Sequence, residues 1–175
     1  MSRIEIINDE IFKIGKYEFI RFADDNGNII GVLKDSIGDM RFGNSNDFSK
    51  SDILAKLNDE FLAEIEEIVG SENVLEFETD LTSLDGSKKH GTMKSKVSIP
   101  TFDFYRNNRA TFAKYNLEDW WWLATPHTTR EYVNDWWVSC VSPLGNFLSS
   151  RCGNRVNGVR PFLIFVSSIF DSLVK

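Results

Sequence analysis

Apolar positions along this chain follow two different periods, and the change between them marks its elements. In KYEFIRFADDNGNIIGVLK, two apolar runs flank Asp24–Asn28. Asn26-Gly27 is a strong turn signal because both residues tolerate positive φ, so a hairpin is predicted between about Tyr17–Phe22 and Ile29–Leu33. After the polar stretch GDMRFGNSNDFSK, read as a loop, the period lengthens. Ile53, Leu57, Phe61, Ile65 and Ile68 recur at helical spacing, with Ser49 or Ser51 as cap and Gly70 as terminator. The opposite face, Asp59, Glu60, Glu64 and Glu67, is acidic and suited to water.

Further on, NVLEFETDLTS reads as a strand and LDGSKKHGTMKSK as an exposed loop. That loop lacks the spacing of a nucleotide-binding loop and is taken as surface. A short second helix is predicted around Pro100–Arg109, burying Phe102, Tyr105 and Phe104. From Trp120 the pattern becomes short strands broken by Pro126, Pro143, Gly145, Gly153 and Gly158. VRPFLIFV is apolar enough for a central buried strand. No 20–50-residue period repeats, which excludes a solenoid. These elements add up to a single α+β domain over residues 1–175, two helices with short antiparallel strands and a loop-rich second half.

Composition agrees with one globular domain: 175 residues, 42% hydrophobic and 26% charged, which excludes a disordered chain. The longest apolar run, near Phe162–Val166, is too short to cross a bilayer, so membrane insertion is not expected. MSRIEIINDEIFK has no apolar core of a secretory signal, which favours a virion or cytoplasmic location. Cys140 and Cys152 fit no metal spacing and are expected as free thiols. Net charge is −6 but unevenly spread: residues 1–80 hold 19 acids against 8 bases, residues 81–175 hold 7 against 12. Val138–Phe170 has no acid and carries Arg151, Arg155 and Arg160. This basic balance is too sparse for a nucleic-acid interface; the arginines are read first as serving separate structural and surface roles, with a mildly positive face for polar or anionic ligands as the sharper alternative.

Catalytic signals are weak. His90 and His127, the two histidines, have no HExxH, HxH or Cys/His companion, and no GxSxG or GxGxxG is present. Asp24-Asp25 and Glu118-Asp119 sit where turns favour acids. Asn134 and Asp135 have nothing nearby to complete a calcium set. Neither enzyme activity, cofactor nor metal is expected. Binding fits better. All five tryptophans fall within residues 120–137, and the segment after them is rich in Ser, Asn, Gly and Arg. Such residues supply rigid contact area with adaptable hydrogen bonds. On a strand, Trp136 and Trp137 point to opposite faces, so one is expected in the core and the other exposed.

The quoted residues also resemble a known family. WWLATP (Trp121–Pro126), the following YV, a glycine turn near Gly145 and NGVRPFL (Asn157–Leu163) are similar to the bacterial and phage C-type-lectin-like domain, written approximately WWLRSP…YV…G…GVRPAL. The likeness spans about Ile14 to Phe165. Ala124-Thr125 replaces the usual Arg-Ser, and the stretch from Pro126 to Val141 is longer and Trp-rich. The resemblance implies a C-type-lectin-like fold, here without the EPN or QPD calcium motifs, hence calcium-independent. It is similar to the variable proteins of diversity-generating retroelements, where codons are rewritten at adenines on a fixed scaffold. GNFLSSRCGNR is built largely of residues reachable from AAC-type codons, whereas tryptophan is not.

The resulting expectation is a display protein binding a protein or glycan receptor, as part of a phage tail or a homo-oligomer. Its surface is placed within about residues 126–158, with Asn134, Trp136, Ser139, Phe147, Ser149, Arg151, Asn154 and Arg155 as contacts. Trp121, Trp122, Gly158, Arg160 and Pro161 are read as scaffold. Two alternatives stand beside it. One is an oxidase like the formylglycine-generating enzymes using Cys140 and Cys152, and the other is a purely structural module of a phage particle.

Overall fold

In a computed structural model, residues 4–129, 136–153 and 155–171 are described. The fold is mostly β, with 35% strand against 25% helix, and among the described residues 14 strands form three sheets. This overturns the expected two-helix α+β, C-type-lectin-like fold. The helical signals were real but short-lived. The polar segments taken as loops pair as strands instead, because a strand needs only every second position apolar.

The first sheet starts with β1 (Ile4–Ile6), β2 (Ile11–Ile14), β3 (Tyr17–Ala23) and β4 (Ile29–Leu33), an antiparallel meander. The β3–β4 hairpin closes at Asp24–Asn28 as the turn signal predicts. Gly27 takes φ 80°, and the Asp24 carboxylate accepts from the amides of Asn26 and Asn28 at 2.9 and 2.8 Å. β4 pairs with β14 (Phe162–Phe165), the apolar strand expected at the centre. On its other edge β14 carries β6 (Val74–Leu75) and then β9 (Val97–Ser98). The second sheet runs β12-β11-β10-β13-β5, with β5 at Asp39–Arg41, β10 at Trp121–Pro126, β11 at Trp137–Val141, β12 at Phe147–Arg151 and β13 at Val156–Gly158. Here β10 and β13 are parallel, joined at Trp121 and Gly158. β7 (Phe77–Asp80) and β8 (Thr92–Ser95) form a separate two-stranded sheet, so part of the expected KKHGTMKSK loop is strand.

The long helix is α1 (Asp52–Lys56), a π-type turn at Leu57–Phe61, and α2 (Leu62–Val69). Ser51 caps it, its hydroxyl accepting from the Leu54 amide at 3.0 Å, and Gly70 ends it at φ 90°. The kink lies at Asp59, whose φ and ψ are both −109°. Beside it, Asn58 donates to Leu54 O and Val97 O and accepts from the Val97 amide, tying the helix to β9. A side chain that enters the i→i−4 ladder at the Leu54 carbonyl in this way accounts for the bend. The second helical signal resolves into α3 (Phe102–Asn107) and α4 (Arg109–Lys114).

Trp121 and Trp122 are successive on β10, so their rings enter opposite sides of the sheet. Trp122 joins Phe42, Phe48, Ile53 and Ile65 in one core, while Trp121 joins Ile20, Val32, Tyr105 and Phe112 in the other. Each indole N–H is used: Trp121 donates to Asn116 Oδ1 at 3.0 Å and Trp122 to Met40 O at 2.8 Å. One dipeptide thus anchors both cores.

Candidate functional site

β12 is the edge strand of the second sheet, and its register on β11 decides what it displays. Trp137 pairs with Arg151, Ser139 with Ser149 and Val141 with Phe147, while Val138 pairs with Ser150 and Cys140 with Leu148. The Arg151 guanidinium lies over the Trp137 ring at 5.6 Å, and Arg155 lies over the Trp120 ring at 5.8 Å. Between them is a cavity of about 390 Å³ lined by Trp120, Trp137, Leu148, Ser149, Ser150, Arg151 and Arg155. Among the described residues no acid lines it and neither arginine forms an ion pair. Such a site can hold a flat or apolar group against the indoles and an anion or hydroxyl on the guanidinium donors.

The expected contact residues divide. Ser149, Arg151 and Arg155 line the cavity. Trp136 is 52% exposed, and its carbonyl accepts from the Cys152 amide at 2.7 Å. Phe147 is also exposed, its ring centroid 4.5 Å from that of Phe102. Ser149 is hydrogen-bonded to His127 Nδ1 at 2.8 Å. Asn134 and Asn154 lie outside the described residues. Ser139 is a correction: it has no exposed surface, and its hydroxyl donates to Thr125 O, so it cannot meet a ligand. By alternation Ser139 shares the face of Trp137 and of its partner Ser149, and what covers it is its place against Thr125 of β10 in the interior of the sheet.

Of the residues read as scaffold, Arg160 is fully buried and donates to Leu33 O at 2.9 Å and Lys34 O at 2.7 Å. A Cβ at Gly158 would stand 3.0 Å from Ser36 Oγ and 3.3 Å from Trp120 O, closer than ordinary van der Waals contact, so any larger residue would have to shift one of them. His90, expected in an exposed loop, is instead hydrogen-bonded to Asn46 Oδ1 at 2.9 Å.

Cys140 and Cys152 are both free and buried. Burial pushes both thiols up, and Cys140 Sγ sits 3.2 Å from Ser150 Oγ. A buried protonated thiol is a poor nucleophile, which counts against the oxidase reading. Among the described residues no three His, Cys, Asp or Glu side chains gather as a metal site, and no helix is long and apolar enough to cross a membrane.

Sequence reasoning missed Trp120, Trp137 and Leu148 as cavity walls. The paired spacing of Trp and Arg was visible, but the strand register that stacks them was not. It also missed a larger cavity, about 590 Å³, between β7 and the start of α3.

No family model, curated protein or solved structure matches this chain.

Proposed function

We propose that this protein is a recognition module that binds a receptor, protein or glycan, through the Trp–Arg face of β11 and β12. The observation that carries this reading is the pair of arginines, without an ion-pair partner among the described residues, each laid on an indole and both lining one cavity. The cavity supplies guanidinium donors and aromatic surface, the groups a recognition site uses to hold and orient a ligand. The chemistry favours a receptor group that is anionic or rich in hydroxyls. Trp136 and Phe147 extend the contact surface beyond the cavity rim.

A display protein of a phage tail or other virion part, with this face diversified at adenines, fits the motif likeness and the AAC-reachable residues Phe147, Ser149 and Arg151. That likeness is one of sequence motifs only. The test is an array of neutral and acidic glycans and host surface extracts probed with the full chain, Arg151→Ala and Arg155→Ala. Binding lost in both variants at unchanged melting temperature supports the site. Retention of binding by both variants refutes it. Concentration-dependent association that buries Trp136 would favour the structural-module reading. In the genome, a near-copy of the codons for residues 120–160 differing only at adenines would support diversification.

A further inference from the structure

The cavity of about 590 Å³ shares no residue with the Trp–Arg cavity. One of its walls is made by four consecutive residues of β7, Phe77 to Asp80. A sheet face would contribute every second side chain, so a consecutive run lines a cavity only where a strand presents its edge.

The hydrogen-bond phase of β7 agrees. The Leu81 amide donates to Gly91 O at 3.0 Å, and the register continues through Thr79 with Met93 and Phe77 with Ser95. These residues therefore direct their backbone groups at β8. Glu78 and Asp80, in the alternate positions, direct N–H and C=O the other way. Among the described residues β7 pairs with β8 alone, and no hydrogen bond to those four outward groups is found. The reason lies one residue upstream. β6 leaves β14 after Leu75, and β9 takes over the β14 edge at Phe162 opposite Ser98. The chain entering β7 is thereby turned off the large sheet, and its second edge opens on the groove. The floor of the groove is apolar, with Ile99, Phe162 and Ile164, and Phe77 and Phe104 lie 5.2 and 5.0 Å from Phe162 between ring centroids.

We propose that this groove binds an extended segment of a partner polypeptide, which adds to β7 as a third strand of the small sheet. The segment exchanges hydrogen bonds with the outward backbone groups of Glu78 and Asp80 and seats apolar side chains over Phe162 and Ile164. A volume near 590 Å³ is within the roughly 300–1,000 Å³ of ligand sites. Charge selects the sequence. Glu78 and Asp80 stand exposed beside the open edge, and hydrogen bonds from Thr82 hold Asp80 below the usual carboxylate range, so it stays ionised. Asp103 is already engaged by Arg106 at 3.2 Å, and Lys88 is the one other base on the wall. The partner strand therefore alternates apolar and basic residues. A second copy of β7 would bring Glu78 and Asp80 against their own kind and is disfavoured.

The experiment is a positional-scanning array of hexapeptides probed with the labelled full chain, followed by hydrogen exchange with the best peptide. Enriched peptides alternate apolar and basic positions, and binding slows exchange at the Glu78 and Asp80 amides. N-methylation of the peptide at the residue facing Glu78 weakens binding about tenfold, the cost of one or two lost hydrogen bonds. Glu78→Pro removes an N–H that no ladder bond uses and has the same effect, while Arg151→Ala leaves peptide affinity unchanged. The proposal is overturned if no peptide is enriched, if the N-methylated peptide binds as well as its parent, or if protection appears away from β7. Protection of Glu78 and Asp80 that rises with protein concentration without peptide would assign the edge to a second copy and equally overturn it.

Discussion

The guanidinium of Arg160 lies 4.8 Å from the centroid of the Trp121 ring and 5.6 Å from that of Phe112, with no exposed surface. Two of its nitrogens donate to the carbonyls of Leu33 and Lys34, so one side chain ties the end of β4 to the strand that carries the second core. Burial lowers its pKa to about 10, which leaves it a cation at neutral pH.

Arg160→Lys keeps the charge but loses the flat face and the fork that serves two carbonyls. The expected loss of stability is about 3 kcal/mol, from hydrogen bonds to a charged donor and a desolvated cation–π contact. Urea midpoints measure it, and a change within about 0.5 kcal/mol, the size of an ordinary surface substitution, would show that neither interaction matters. The pH sign also follows. Between about 10 and the ordinary, higher guanidinium range the unfolded chain binds the proton more strongly. The contribution of this group to stability therefore rises with pH across that window and is a constant penalty below it.

Gly31, in the middle of β4, sets a second prediction. A Cβ there would stand 2.8 Å from Phe12 Cζ and 3.1 Å from both Phe165 Cε2 and Phe19 Cδ1. Phe12 and Phe19 are stacked at 5.2 Å and Phe165 meets Phe12 edge-on at 5.9 Å, so no ring can retreat without disturbing another. Gly31→Ala should cost about 1–3 kcal/mol by overpacking, outweighing the entropy it saves. Thermal melting reads this directly, and an unchanged or higher midpoint would mean the three rings yield freely.

The thiols give a pH-dependent prediction. Burial raises Cys140 and Cys152 above the ordinary value of 9.0. For a group raised in the folded state, its stabilisation is complete below the unfolded value and declines as pH rises above it. Stability should therefore fall more steeply above about pH 9 in the native chain than in Cys140→Ala/Cys152→Ala. A thiol-specific reagent at pH 8 should label neither cysteine until denaturant is added. Rapid labelling of the folded protein would restore an accessible nucleophile and with it the oxidase reading.

What the sequence made legible follows the range of the interactions involved. The β3–β4 hairpin was readable because Asn26-Gly27 fixes a turn locally. The helix over Ile53–Ile65 was readable because its apolar stripe is contiguous, although Val69 rather than Ile68 completes the buried face. The fold class was not legible. β5 and β13 are three residues each, and such strands exist only through partners distant in sequence, as Asn157 opposite Met40 shows. The motif ends WWLATP and NGVRP do come together at Trp121 and Gly158, but in a β-rich frame that the family likeness did not imply. At the site, residue types pointed to Arg151 and Arg155. Only the register of β11 on β12 places Arg151 on Trp137, and only the contact of β11 with Thr125 of β10 covers Ser139.

Ser139 and Arg151 therefore make opposite predictions, although two rungs of one ladder separate them. The Ser139 hydroxyl donates to Thr125 O inside the sheet, where β10 and β11 change register between Trp122 and Pro126. Ser139→Ala leaves that carbonyl without its donor and should cost about 1–2 kcal/mol while leaving receptor binding intact. Arg151 is exposed, and its contact with Trp137 is worth about 0.5–1 kcal/mol at such a site, so Arg151→Ala should barely move the melting midpoint. It should nevertheless abolish binding to an anionic or hydroxyl-rich receptor, since the cavity then loses one of its two guanidinium groups. Melting curves and binding isotherms on the two variants separate the effects. If Ser139→Ala lost binding at full stability, the buried position of its hydroxyl would be wrong and the face would have to be redrawn around it.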